Sequence, residues 1–189
     1  MKEMFKGCYS LQFLDLSGID TKKVENMNSL FYDCKNLTSL DLGSFNTDSL
    51  TNMDSIFYGC NSLSYLNIKS FNTASVTKMS YTFYNCWNLT SIDLLSFDTR
   101  KVVNMEHMFD NDYNLISLNL SSFITNEVTN MNYMFSNCYN LISLDISKFS
   151  SSKATVEGIF TNSSKLEIII SNDAKICELI PSGSKCSPN

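Results

Sequence analysis

A single spacing constrains this chain more than any other feature. Phenylalanine recurs at Phe5, Phe31, Phe57, Phe83, Phe109 and Phe135, 26 residues apart each time, and then at Phe160 after 25. Residues 24–47, VENMNSLFYDCKNLTSLDLGSFNT, recur with substitutions at 50–73, 76–99, 102–125 and 128–151. A period of this size is the signature of a solenoid, whose units cannot bury their apolar flanks alone and fold by stacking on one another.

Within the unit, Leu37, Leu40 and Leu42 set a Leu-x-x-Leu-x-Leu pattern that returns at Leu11/Leu14/Leu16, Leu63/Leu66/Ile68, Leu89/Ile92/Leu94, Leu115/Leu118/Leu120 and Leu141/Leu144/Ile146. Its last two apolar positions alternate with polar ones, the period of a half-buried strand. Thr21, Thr47, Thr73, Thr99 and Thr125 follow where a helix N-cap is wanted. After each comes V-x-N-M-x-x-[ML]-F, whose apolar residues lie on one helical face. Strand followed by helix at every turn predicts an α/β fold: a right-handed leucine-rich-repeat solenoid with a parallel sheet on one face and short helices on the other.

The array is expected over residues 1–151, with about six strands, and opens in mid-repeat because Met1 occupies the slot of Met27, Met53, Met79, Met105 and Met131. That register suits a piece excised from a longer array; an initiator methionine falling on a methionine slot is the alternative. Residues 152–189 are read as a degenerate last repeat and C-terminal cap. There Ser171 or Asp173 would start a helix carrying Ala174, Cys177 and Ile180, Pro181 would stop it, and 182–189 would be a frayed tail.

The combination of F-x-x-C-x-x-L, the Leu-x-x-Leu-x-Leu strand and D-L-S-x-F-[DN]-T-x-x-V-x-N-M-x-x-M-F resembles the BspA-like leucine-rich repeat surface proteins, whose repeat is shared by mycoplasma-type surface lipoproteins. The resemblance covers residues 1–151. It implies a cell-surface or secreted interaction module that adheres to a protein or glycan on a host or neighbouring cell. Phe45, Phe71, Phe97, Phe123 and Phe149 stand where the commonest leucine-rich repeats carry Asn, so a stacked aromatic spine should replace an Asn ladder.

Composition narrows the function. The 14 basic residues are outnumbered by 19 acidic ones, for a net charge of -5, which argues against the clustered Lys and Arg of a nucleic-acid footprint. No run of 18 apolar residues offers a membrane span. The N-terminus lacks a secretory signal pattern, so the chain is either cytoplasmic or without its natural beginning.

Cys8, Cys34, Cys60, Cys86 and Cys138 each fall three residues after the repeat Phe, with Asp112 in the remaining place. They are read as free thiols pointing into a tight turn; Cys177 and Cys186 lie outside that ladder and could pair in an oxidising compartment. With no Cys-x-x-Cys, and His107 as the only histidine in an ordinary exposed slot, no metal or cofactor is predicted. No nucleophile–base pair or phosphate cradle stands out. The chain is read as non-enzymatic.

The candidate binding residues are the outward strand positions. Asp15, Asp41, Asn67, Asp93, Asn119 and Asp145 form the central column, beside Phe13, Ser39, Tyr65 and Ser91 on one side and Lys69 and Leu95 on the other. The recurring Asp could instead cap adjacent loops, so Phe13, Tyr65, Lys69 and Leu95, which break the repeat, are the better candidates for specificity. Aromatic columns at Tyr32, Tyr58 and Tyr84 and at Tyr9, Trp87, Tyr113 and Tyr139 suit either an interface or a shield over the turn. The competing function is a spacer with no ligand of its own. The expected state is a monomer, with edge-to-edge association possible at the uncapped first strand.

Overall fold

In a computed structural model, which describes residues 1–188, the Leu-x-x-Leu-x-Leu segments stack as a parallel-sheet solenoid. The turns are called rungs, the first carrying Phe5 and the seventh Phe160. Strands β1 (Ser39–Asp41) and β2 (Tyr65–Asn67) pair in parallel, and β3 (Ser117–Asn119), β4 (Ser143–Asp145), β5 (Ile168–Ile170) and β6 (Lys185–Ser187) form a second parallel sheet in that order. The period sets the register: Ser39 faces Tyr65, Leu40 faces Leu66, and Ser117 faces Ser143. In β3 only the central Leu118 is buried, between exposed Ser117 and Asn119, as the pleat requires.

Two of the predicted strands do not form. Residues 13–15 on the first rung and 91–93 on the fourth lie outside the ladders. On the fourth, residues 91–93 pair with neither neighbour, and Ile92 is half-buried as Leu66 of β2 is.

The helices expected on the opposite face are absent from the repeats. The one helix among the described residues is α1 (Ala174–Cys177). Each V-x-N-M-x-x-[ML]-F arm is instead a run of tight turns. The N–H groups of Leu30, Tyr32 and Cys34 donate to the carbonyls of Met27, Ser29 and Phe31, while those of Met27, Ser29, Phe31 and Asp33 donate to Asn52, Asp54, Ile56 and Tyr58 of the next rung. Parallel bridges run down the same face through Asn26, Asn52, Lys78, Asn104, Asn130 and Thr155. A helix would close these bonds along its own axis, and one this short gains little by doing so; the arm sends every second N–H across to its neighbour. The geometry requires left-handed backbone at Ser29 and Asp33, at Ser55 and Gly59, and at Tyr81 and Asn85, a conformation that Asn, Asp and Gly tolerate best.

The threonines are corrected with the helices. Each is a clamp between rungs. Thr73 Oγ1 donates to the Asp98 carbonyl at 2.9 Å and accepts from the Asp98 N–H at 2.8 Å, and Thr21, Thr47, Thr99 and Thr125 do the same to Asn46, Asn72, Ile124 and Ser150.

The core consists of stacked columns. Phe5 to Phe160 stack at centroid spacings of 5.3–5.9 Å, and the Phe45–Phe149 spine at 6.3–6.5 Å. The five ladder cysteines are free thiols, four of them buried and Cys8 partly so.

The C-terminal tail differs from its expected frayed state. Asp173 caps α1 by accepting from the Ile176 N–H and also holds the N–H and hydroxyl of Ser151. Residues 185–187 then add β6 to the sheet beside β5, tied to α1 by the Cys177–Cys186 disulfide. Ladder bonds and the covalent tie together fix a segment too polar to order itself. Asn189, the last residue of the predicted tail, lies outside the described residues.

Candidate functional site

Strand alternation brings the predicted residues onto one face. Pairing sets Ser39 beside Tyr65 and Asp41 beside Asn67 in one sheet and Asn119 beside Asp145 in the other; Phe13, Asp15, Ser91 and Asp93 hold the equivalent positions of the two rungs that form no strand, and Lys69 and Leu95 follow two residues after Asn67 and Asp93. Phe13 is 70% exposed, and Tyr65 and Leu95 are 54% exposed each. Ser147, two residues after Asp145, is buried, and its carbonyl accepts from Asn172 Nδ2. Lys69 Nζ lies 3.3 Å from Asp93 Oδ2, so that cation and carboxylate are paired with each other.

The Asp/Asn column has a structural task. Asp15, Asp41, Asn119 and Asp145 each accept, through Oδ1, the N–H two residues on, at 2.8–3.0 Å. This is the local bond by which Asx residues close a turn after a strand. The Ser17 N–H and hydroxyl hold the Asp15 carboxyl below its ordinary range. Asn67 Nδ2 also donates to Asp41 Oδ1 at 2.8 Å, tying the second rung to the third. Gly43 leaves room for that tie, because a Cβ there would lie 2.8 Å from Asn67 Nδ2. A cavity of about 580 Å³ opens on this face, lined by Phe13, Leu14, Asp15, Ser17, Ser39, Asp41, Gly43, Ser44 and Asn67.

A second exposed surface includes residues that the column analysis of the strands passed over. On the fourth to sixth rungs, Trp87 and Tyr113 stack at 5.6 Å and Tyr139 lies tilted against Tyr113 at 5.2 Å. Asn114 Nδ2 and Asn140 Nδ2 donate to the carbonyls of Trp87 and Tyr113. Beside this ladder Ile116 and Ile142 are exposed, and with Thr90, Asn114, Asn140 and Lys165 they line a depression of about 310 Å³. The same place on earlier rungs holds Gln12, Thr38 and Ser64. That switch from polar to apolar down one column was the available signal.

His107 is less exposed than its slot suggested. Its ring stacks between Tyr81 and Tyr133 at 4.8 and 4.9 Å, and Nδ1 lies 2.6 Å from Asp110 Oδ2. Asp110 Oδ1 in turn accepts from Asn137 Nδ2. The imidazole thus replaces a tyrosine in a stacked column and is tied to the next turn. Among the described residues no group of three His, Cys, Asp or Glu side chains is placed to hold a metal ion, and no helix is long and apolar enough to cross a membrane.

The family model described as "Mycoplasma protein of unknown function, DUF285" matches residues 1–93 and 77–175. No curated protein matches the chain. Among solved structures it is similar to the leucine-rich repeat protein of T. pallidum, with a TM-score of 0.44 and 17% identity, over 74% of this chain and 69% of that one. Matched along most of its length by this one family model, the chain belongs to the DUF285 family.

Proposed function

We propose that this protein is a non-enzymatic interaction module of a cell-surface or secreted protein, and that it binds a protein partner through the ridge on the fourth to sixth rungs and the adjoining sheet face. The observation that carries this reading is the ridge itself. Trp87, Tyr113 and Tyr139 form one column and the exposed Ile116 and Ile142 another on the same rungs, with the hydrogen-bonded Asn114 and Asn140 between them in sequence, an arrangement of aromatic anchors and satisfied polar groups that suits a protein interface. Protein is favoured over glycan because one face of Tyr113 is covered by Trp87 and the exposed Ile116 and Ile142 offer no hydrogen-bond partner to a sugar hydroxyl. The Cys177–Cys186 disulfide supports an oxidising compartment.

The test is capture of proteins from host-cell surface extract by the wild-type chain and by a Trp87→Ser/Ile116→Ser/Ile142→Ser variant. Loss of a captured protein, with thermal unfolding unchanged, supports the interface. Retention of every captured protein by the variant refutes the ridge. A wild-type chain that captures nothing supports the spacer reading.

A further inference from the structure

We propose that the uncovered arm of the seventh rung is a docking slot for a peptide segment of a protein partner, a segment that carries Phe and, two residues later, Asn, Asp or Gly. The slot is separate from the ridge on the fourth to sixth rungs, and neither depends on the other.

The slot exists because the cap is a shortened rung. Ser143 of β4 pairs with Ile168, 25 residues on, whereas Ile168 of β5 pairs with Lys185, only 17 residues on. What is left out is an arm: residues 178–184 run directly from α1 to β6. In every earlier arm the N–H groups at alternate residues cross to the next rung, as those of Met131, Tyr133, Phe135 and Asn137 do to Thr155, Glu157, Ile159 and Thr161 at 2.7–3.0 Å. Their equivalents at Val156, Gly158, Phe160 and Asn162 have no partner among the described residues, although the N–H groups of Ile159 and Thr161 between them are bonded to Val156 and Gly158. Val156 and Phe160 are only 7% and 5% exposed, a setting in which an unbonded N–H is costly. Beside this edge lies a depression of about 350 Å³, lined by Val156 and Phe160 from the rung and by Leu179 and Pro181 from the cap.

The junctions inside the molecule show what fits such an edge. At each of them the covering arm supplies a carbonyl at every second residue and a Phe that stacks on the Phe beneath it. Phe160 has Phe135 on one side and no ring stacked on the other among the described residues. An arm must also bend with the rung, through left-handed backbone two residues before its Phe and two after, as at Tyr133 and Asn137 and at Gly158 and Asn162. The later of these positions is Asp33, Gly59, Asn85, Asn111 and Asn137 in turn, the residue types that take this conformation most readily. From this comes the specificity for Phe followed two residues on by Asn, Asp or Gly. A helix spends its carbonyls along its own axis, and a glycan has no such row of them. A second copy of the chain is the poorer fit. Its free carbonyls of this kind are those of Lys2, Met4 and Lys6 on the first rung, and that arm is continuous with residues 11–16, which would need the layer that β6 already occupies.

The probe is the peptide acetyl-Asn-Met-Asn-Tyr-Met-Phe-Ser-Asn-amide, the sequence of residues 130–137, added to the whole chain. Affinity would be measured by calorimetry, and the backbone contact by amide hydrogen exchange read by NMR. In the free chain the N–H groups of Val156, Gly158, Phe160 and Asn162 should exchange faster than those of Met131, Tyr133, Phe135 and Asn137, and bound peptide should slow those four about tenfold or more. Replacing the peptide's Phe by Ser should weaken binding about tenfold, as withdrawal of one buried aromatic side chain implies. Replacing its final Asn by Val should weaken it as well, because a β-branched residue resists left-handed backbone. Leu179→Asp should weaken binding about tenfold by setting a carboxylate against the incoming ring; Leu179 is 45% exposed, and unchanged thermal unfolding checks that the variant folds. The Trp87→Ser/Ile116→Ser/Ile142→Ser variant should bind the peptide like wild type, so the slot and the ridge fail separately. No binding by the wild-type chain, binding without protection of those four amides, or indifference to Leu179→Asp or to loss of the Phe overturns the proposal. Dimerisation of the chain that Leu179→Asp abolishes would assign the slot to a second copy and overturn it too.

Discussion

Replacing Asp112 by serine should stabilise the protein, and increasingly so as the pH rises. Three residues after the repeat Phe, each rung places a donor against the Phe carbonyl of the preceding rung. Cys34, Cys60, Cys86 and Cys138 donate their thiols to Phe5, Phe31, Phe57 and Phe109 at 3.1–3.3 Å, and Ser163 donates its hydroxyl to Phe135 at 2.6 Å. Asp112 breaks the series. Its Oδ1 accepts the Cys86 N–H at 2.8 Å, but Oδ2 is buried without a partner. Burial, reinforced by the neighbouring Asp110, pushes the carboxyl well above its ordinary 3.8, and the Cys86 N–H opposes this only in part. The folded protein therefore holds Asp112 protonated under conditions where the unfolded chain ionises it. A group with a raised folded pKa stabilises fully below its unfolded value, and that contribution is lost at about 1.4 kcal/mol per pH unit as the pH climbs from there toward the folded value. Asp112→Ser copies Ser163, which accepts the Cys138 N–H and donates to Phe135. It removes an unsatisfied buried group costing about 1–3 kcal/mol and opens a void of only some 20 Å³, costing about 0.5 kcal/mol. The variant should match wild type within about 1 kcal/mol at pH 3.5 and exceed it by about 2 kcal/mol or more at pH 7, a rise in Tm of about 4–8 °C. Thermal unfolding followed by circular dichroism from pH 3.5 to 8 reads this directly. A Tm difference that does not change with pH, or a wild type that is the more stable at pH 7, would refute the reasoning.

Two further outcomes follow from the same stacking. Thr73→Val keeps the shape of the side chain but strips both bonds from Asp98, leaving an N–H and a carbonyl unsatisfied. A loss of about 2–4 kcal/mol should lower Tm by about 5 °C or more, measured by calorimetry against an exposed control such as Thr77→Val. Thiol titration should find five reactive groups in denaturant and at most Cys8 in the native protein, because burial pushes Cys34 up to about 12 and Cys60, Cys86 and Cys138 well above the ordinary range; reduction should then add the Cys177 and Cys186 thiols and release the cap to protease first, since closing a loop of this size contributes about 2.5 kcal/mol.

What could be read from the residues alone divides along a physical line. The period fixed the register, so the inward positions of Leu40, Leu118 and Leu144 and the two phenylalanine columns were legible before any coordinates. The conformation of the arms was not. Val24, Met27, Leu30 and Phe31 have a spacing that fits one face of a helix, and the same spacing is met by successive tight turns in which Ser29 and Asp33 take left-handed backbone. The choice depends on whether the N–H of Met27 finds a partner in its own arm or in the next rung, and that is a property of the stack, invisible in one unit. Thr73 was misread for the same reason: its oxygen sits at the right place for a cap and serves a residue 25 positions away. The sheet-face residues were legible because strand alternation is local. Ile116 and Ile142 were not singled out because each, taken within its own repeat, is an unremarkable apolar residue before a strand.

The distribution of the exceptions bears on how such a surface can evolve. Stacking accounts for most positions, since a change at Met27, Phe31 or Leu40 disturbs two interfaces at once; these residues are fully buried or nearly so. Freedom remains where side chains leave the ladder, and there the two ends of the solenoid have diverged. The first two rungs carry carboxylates and hydroxyls around an opened ladder, while the fourth to sixth carry stacked rings and isoleucines around a closed Asn ladder. Strands about 4.8 Å apart put some 15–20 Å between these regions, within the span of a standard interface. A solenoid suits this division because each rung holds its outward residues in place independently of what its neighbours display, so charge at one end and apolar area at the other can change without a shared cost to the core.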